Sequence, residues 1–107
     1  MEKLIESIDW EIDNEALKFK VRSCFETVIE KLKGYADYKA FFDKEIENGD
    51  LDAAQVLHDS LVFQGTAING YLHCLEAFVP YEFQFYTADG TIFLQAGLRT
   101  IWSYKFK

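Results

Sequence analysis

Cysteine, proline and glycine are all scarce in this chain, and it has no long apolar run. Its two cysteines, Cys24 and Cys74, are too few and too far apart to make a disulfide framework, so the expectation is a pair of reduced thiols in a cytoplasmic protein. One proline, Pro80, and six glycines leave no linker, and neither repeat nor low-complexity tract is visible. Residues 1–107 therefore read as a single compact α+β domain. No stretch approaches the roughly 20 apolar residues of a membrane helix. The opening Met1-Glu2-Lys3-Leu4-Ile5-Glu6 lacks the basic and then apolar order of a secretory signal. No membrane association is expected.

Catalytic and metal motifs are missing as well. The sequence has no G-x-S-x-G, no P-loop, no G-x-G-x-x-G, no C-x-x-C and no H-x-x-x-H. The acidic run Asp43 to Asp52 lacks both the residue order and the terminal glutamate of a calcium loop. No cofactor or metal is expected, and the chain reads as a protein without enzymatic activity.

What is present is apolar mass and negative charge. Half the residues are apolar, including ten Phe, six Tyr and two Trp, enough for one dense core. The net charge is −7. Residues 1–59 carry all of it, with 15 acids against 8 bases, and residues 60–107 are neutral. Such a field repels nucleic acid and anionic lipid, and steers a basic protein toward the N-terminal half.

The segment from 8 to 33 admits two readings. A helix over 13–33 would align Leu17, Val21, Cys24, Phe25, Val28 and Leu32 but would leave Phe19 on the far side. A β-hairpin explains more of the alternation: Ile8, Trp10 and Ile12 would face Leu17, Phe19 and Val21 across a turn at Asp13-Asn14-Glu15-Ala16. The hairpin is favoured. A helix would then begin at Ser23, whose Ser23-Cys24-Phe25-Glu26 has the form of a capping box.

Three to four helices follow: 24–33 ending at Gly34, 36–47 ending at Gly49, 53–64, and 67–79 ending at Pro80. Tyr35, Tyr38, Phe42 and Ile46 form the apolar face of the second. Asp50 or Asp52 caps the third, and Gly65-Thr66 divides it from the fourth. The fourth carries a stripe of Ile68, Tyr71, Leu72, Leu75, Phe78 and Val79.

The last third alternates with period two. Asp89-Gly90 supplies a tight turn that pairs Ala88 with Thr91, Thr87 with Ile92 and Phe85 with Leu94. Gly97 reverses the chain again, giving a three-stranded antiparallel meander. Helices are expected on one face, over Phe83, Phe85, Ile92 and Leu94. Tyr86, Phe93 and Ile101 then form a patch on the other.

Two functions are compatible with these residues. The first is a small acidic binding protein that neutralises a basic partner such as a nuclease toxin. Its profile resembles toxin-neutralising immunity proteins and phage-encoded inhibitors, an analogy of size and charge that no motif carries. Its contact residues would be Asp43, Glu45, Glu47, Asp50, Asp52, Asp59, Tyr86 and Phe93. The alternative is a small enzyme or ligand-binding domain that uses His58, His73 or Glu76 in a pocket between helices and sheet.

Overall fold

The computed structural model describes residues 15–79 and 81–107. Two long helices are followed by three short strands: α1 Glu15–Asn48, α2 Leu51–Glu76, β1 Phe83–Ala88, β2 Thr91–Ala96 and β3 Arg99–Lys105. The helices run antiparallel, and the sheet lies across one side of the pair. The domain measures 53 × 21 × 19 Å, with a radius of gyration of 15.4 Å. A compact chain of this length has a radius near 13 Å. The molecule is elongated because α1 alone spans about 50 Å at 1.5 Å per residue.

The expected N-terminal hairpin is overturned. Its first strand, Ile8 to Ile12, lies outside the described residues, but Leu17, Phe19 and Val21 belong to one uninterrupted helix. Leu17, Val21, Phe25, Val28, Leu32 and Ala36 recur at helical spacing, and this stripe enters the core. Of Leu17, Phe19 and Val21, Phe19 alone falls off it, at 71% exposure. One exposed ring costs less than detaching Leu17 and Val21 from the core. Ser23 is no cap: it lies inside the helix, where its carbonyl accepts from Thr27 Oγ1 at 3.2 Å.

Three to four helices are likewise replaced by two. Gly34 costs about 1 kcal/mol relative to alanine in a helix interior. Leu32 and Ala36 on either side of it are fully buried, and their packing carries α1 through. Gly65-Thr66 does not divide α2, because Leu61, Ile68 and Leu72 keep one buried stripe across it. The Thr66 hydroxyl donates to the Val62 carbonyl within the same helix. The true break is at Gly49, whose φ of +76° suits glycine. There Gly49 N donates to Ile46 O and Asp50 N to Glu45 O, the paired bonds of a Schellman turn. Asp50 then caps α2 by accepting from Ala53 N at 3.1 Å. Pro80, the expected terminator of α2, lies outside the described residues, and the helix ends at Glu76.

The meander forms as expected. The strand order is β1-β2-β3, and Ala88 pairs with Thr91, Thr87 with Ile92 and Phe85 with Leu94. Both turn residues hold positive φ, Asp89 at 51° and Gly90 at 76°. A β carbon on Gly90 would come within 2.7 Å of the Lys107 side chain, so this position also needs the space. One feature departs from the expectation. Leu94 pairs with Trp102 but Gln95 with Thr100, which leaves Ile101 as an extra residue in β3. This bulge turns Ile101 inward beside Trp102, and both are buried. Ile101 is therefore core and no part of the outer patch.

The core joins Val21, Phe25, Val28 and Leu32 of α1, Ile68, Leu72 and Leu75 of α2, and Phe83, Ile92, Leu94, Ile101 and Trp102 of the sheet. Phe25 and Phe83 meet edge to face, with centroids 5.1 Å apart. Tyr71 and Phe78 were expected within the buried stripe of α2, and Tyr38 and Ile46 within that of α1. All four are at least 39% exposed.

Candidate functional site

The end of the molecule that holds the helical turn also holds the β1–β2 turn. Phe106 N and Lys107 N both donate to the Gly90 carbonyl, laying residues 106–107 along that turn. From there Lys107 Nζ reaches Asp43 at 3.3 Å and Glu47 at 3.6 Å on α1. Lys39 grips the same Asp43 carboxylate at 2.9 Å. Burial pushes the Asp43 carboxyl up, but the hydrogen bonds and charges of Lys39 and Lys107 outweigh it and hold the group below the usual carboxylate range.

Of the acids singled out in the sequence, the structure gathers five. Asp43 and Glu47 share Lys107, and Glu45, Asp50 and Asp52 crowd the turn between α1 and α2. Asp59 stands apart, about 13 Å further along α2 by helical rise. It accepts from Gln55 Nε2 at 2.9 Å and lies 3.8 Å from His58. Asp43 and Asp50 are engaged within the molecule and Glu47 lies 3.6 Å from Lys107 Nζ, so Glu45 and Asp52 are the acids with most freedom to meet a partner.

Tyr86 and Phe93 face each other across β1 and β2 on the outer sheet surface. Their rings stack with centroids 5.1 Å apart, and Tyr86 is 42% exposed. Each lies three residues from the Asp89-Gly90 turn. The aromatic pair therefore sits toward the acidic end of the molecule.

Two residues escaped the sequence reading. Ile46 and Leu51 flank the Gly49 turn, at 48% and 70% exposure, among Glu45, Glu47, Asp50 and Asp52. Periodicity assigned Ile46 to a buried face, and nothing in the sequence signals that the sheet stops short of it. Asp89 adds a further carboxylate to this end.

The histidines do not share one site. His58 lines a cleft of about 600 Å³ with Tyr35, Phe42, Asn69 and Phe85, and its ring lies 6.0 Å from that of Phe42. His73 lines another cleft with Glu76, Gln84 and Leu98. Fifteen residues of one helix separate the two, about 22 Å. His58 is exposed. His73 lies 3.3 Å from Glu76 Oε1, while Glu76 Oε2 accepts from Phe83 N at 2.8 Å. Glu76 thus ties the end of α2 to the start of the sheet. Among the described residues, no group of three His, Cys, Asp or Glu side chains could hold a metal ion.

Both cysteines are free, with Cys74 exposed and Cys24 half-buried. Burial raises the Cys24 thiol above its ordinary value, and the charge of Cys74 adds to that. A thiolate is the reacting form, so iodoacetamide at neutral pH is expected to label Cys74 rapidly and Cys24 slowly. Mass spectrometry of timed digests checks this. Equal labelling rates would show that α1 does not shield Cys24.

Among the described residues, no helix is long and apolar enough to cross a membrane. No protein-family model, no curated protein and no solved structure matches the chain, so its geometry stands alone as the guide to its function.

Proposed function

We propose that this chain is a protein-binding module whose acidic helical tip docks onto a basic protein, as an inhibitor of a nuclease-type toxin would. The observation that carries the reading is the exposed pair Ile46 and Leu51 within a ring of Glu45, Glu47, Asp50 and Asp52. Binding hot spots combine an apolar anchor with a surrounding rim that excludes water, and a rim of one sign selects the partner's charge. A Schellman turn commonly places apolar side chains at the positions that Glu45 and Asp50 hold here. Acids at those positions repel each other, which favours a role beyond stability. The stacked Tyr86 and Phe93 supply a second apolar contact toward the same end.

The test begins with capture of a partner from the native host on the intact chain. A parallel capture uses the triple variant Glu45→Lys, Glu47→Lys, Asp52→Lys. Asp50 is left in place because its replacement would also remove the α2 cap. Kinetics with the purified partner should then show association slowing as salt rises, since screening shortens to about 8 Å at physiological strength. Charge reversal should slow association by more than about tenfold, and Tyr86→Ala or Phe93→Ala should chiefly speed dissociation. An acidic partner, or an association rate indifferent to salt, would remove the basis for this reading.

A further inference from the structure

The two edges of the sheet differ. Along β3, Arg99 and Lys105 stand exposed at the ends, and the bulge at Ile101 interrupts the run. Charges and bulges of this kind keep a strand edge from pairing with another chain. The β1 edge, Phe83–Ala88, has no charge, no proline and no bulge. Gly97 N donates to Glu82 O at 2.8 Å, which fixes the alternation of the ladder. Gln84, Tyr86 and Ala88 therefore bond to β2, while Phe83, Phe85 and Thr87 turn their N–H and C=O groups outward. Phe83 N agrees, donating to Glu76 Oε2 at 2.8 Å. No described residue meets the N–H of Phe85 or Thr87 in that way. Both residues line the cleft of about 600 Å³ that separates β1 from Val62, Thr66 and Asn69 of α2. Carboxylates bracket this open edge, with Glu76 and Glu82 at its start and Asp89 at its end. Glu82 and Asp89 are exposed, and neither shares a salt bridge with a described residue.

We propose that β1 takes up an extended segment of a partner protein as a fourth, antiparallel strand, its apolar side chains in the cleft and a lysine or arginine at each end. Outward amide groups two residues apart match the repeat of an extended chain. Phe85 and Thr87 face the helices, so every second residue of the added strand enters the cleft, where Phe85 and Val62 favour an apolar side chain. Acids at both ends of an uncharged run select cationic flanks, because opposite charges on neighbouring strands attract. Lys39, the one lysine lining the cleft, is held by Asp43 at 2.9 Å. A second copy pairing antiparallel through the same edge would set Glu76 and Glu82 against its own Asp89, acid against acid. Glu76 also limits the strand, since its carboxylate already fills the place of a backbone acceptor at Phe83.

The probe is the free peptide acetyl-Lys-Val-Thr-Val-Thr-Lys-amide, titrated into the full chain and followed by amide NMR shifts. Its valines oppose Thr87 and Phe85, and its lysines reach Asp89 and Glu76. Binding is expected, with the largest shifts along β1. Methylating both valine nitrogens removes the donors to the Phe85 and Thr87 carbonyls and should weaken binding by about tenfold or more. Replacing both lysines by glutamate should do the same. Thr87→Pro removes an outward N–H that makes no ladder bond, so thermal unfolding should change little while affinity falls by about fivefold. Where the proline disturbs the fold, the methylated peptide still decides. Glu82→Gln with Asp89→Asn should lower affinity and flatten its dependence on salt. No binding by the unmodified peptide, or equal binding by the methylated or glutamate form, overturns the proposal. So does a wild-type dimer that Thr87→Pro dissolves, which would make a second copy the occupant. The probe needs no partner of the acidic tip, so failure here and failure of that reading are separate results.

Discussion

Phe25→Ala is expected to destabilise the domain by about 3–5 kcal/mol, a large part of the 5–15 kcal/mol that holds a domain of this size together. The side chain is fully buried and packs edge to face against Phe83, at the seam where α1 meets the first strand. Two losses combine there: the transfer of the ring from water, and the cavity left between a helix and a sheet that cannot both collapse into it. Urea unfolding followed by far-ultraviolet circular dichroism measures the change. A matched truncation, Phe19→Ala, removes an equal ring from the same helix at 71% exposure and should cost under 1 kcal/mol. If the two substitutions cost the same, α1 is not oriented as described, and the N-terminal part of the core is wrongly assigned.

Ile101→Ala carries the second large effect, about 2–5 kcal/mol. Simple alternation along β3 puts Ile101 on the outer surface, where truncation would cost little. The bulge opposite Leu94 and Gln95 turns it inward, and its side chain is fully buried. Phe93→Ala is the comparison, because Phe93 is half-buried and has one stacked neighbour, Tyr86. An aromatic pair of that kind contributes about 0.5–1.5 kcal/mol beyond its area. Thermal unfolding of the two variants should therefore separate clearly, with the smaller side chain giving the larger loss. The reverse order would mean that β3 runs without a bulge and that Ile101 belongs to the surface patch.

The sheet was legible because its signals are local. Period-two alternation and the Asp89-Gly90 pair specify strands, turn and register within a few residues of one another. The helices were not, because their continuity is decided elsewhere. Gly34 and Gly65 carry the local marks of helix ends, yet the side chains on either side of each are gripped by residues distant in sequence. Leu17-Lys18-Phe19-Lys20-Val21 satisfies a strand pattern and, apart from Phe19, a helix pattern; the buried stripe further along α1 settles the choice. The bulge at Ile101 was invisible for a related reason: an extra residue changes pairing without changing composition. At the proposed site the acids were legible as a charge run. Ile46 and Leu51 were not, since their exposure depends on how far the sheet extends along the helices.

The order of the elements also bears on how the chain is made. A ribosome delivers α1 and α2 before β1, β2 and β3, so the helical pair can close as soon as residues 15–76 have emerged. Its sheet-facing stripe then waits, open to solvent, for Ile92, Leu94, Ile101 and Trp102 to arrive from the last part of the chain. During that interval the nascent protein displays an apolar surface it will later hide, the kind that chaperones recognise and that drives aggregation. A stall or a truncation within residues 83–105 would prolong that state, leaving a helical hairpin with its sheet-facing side uncovered.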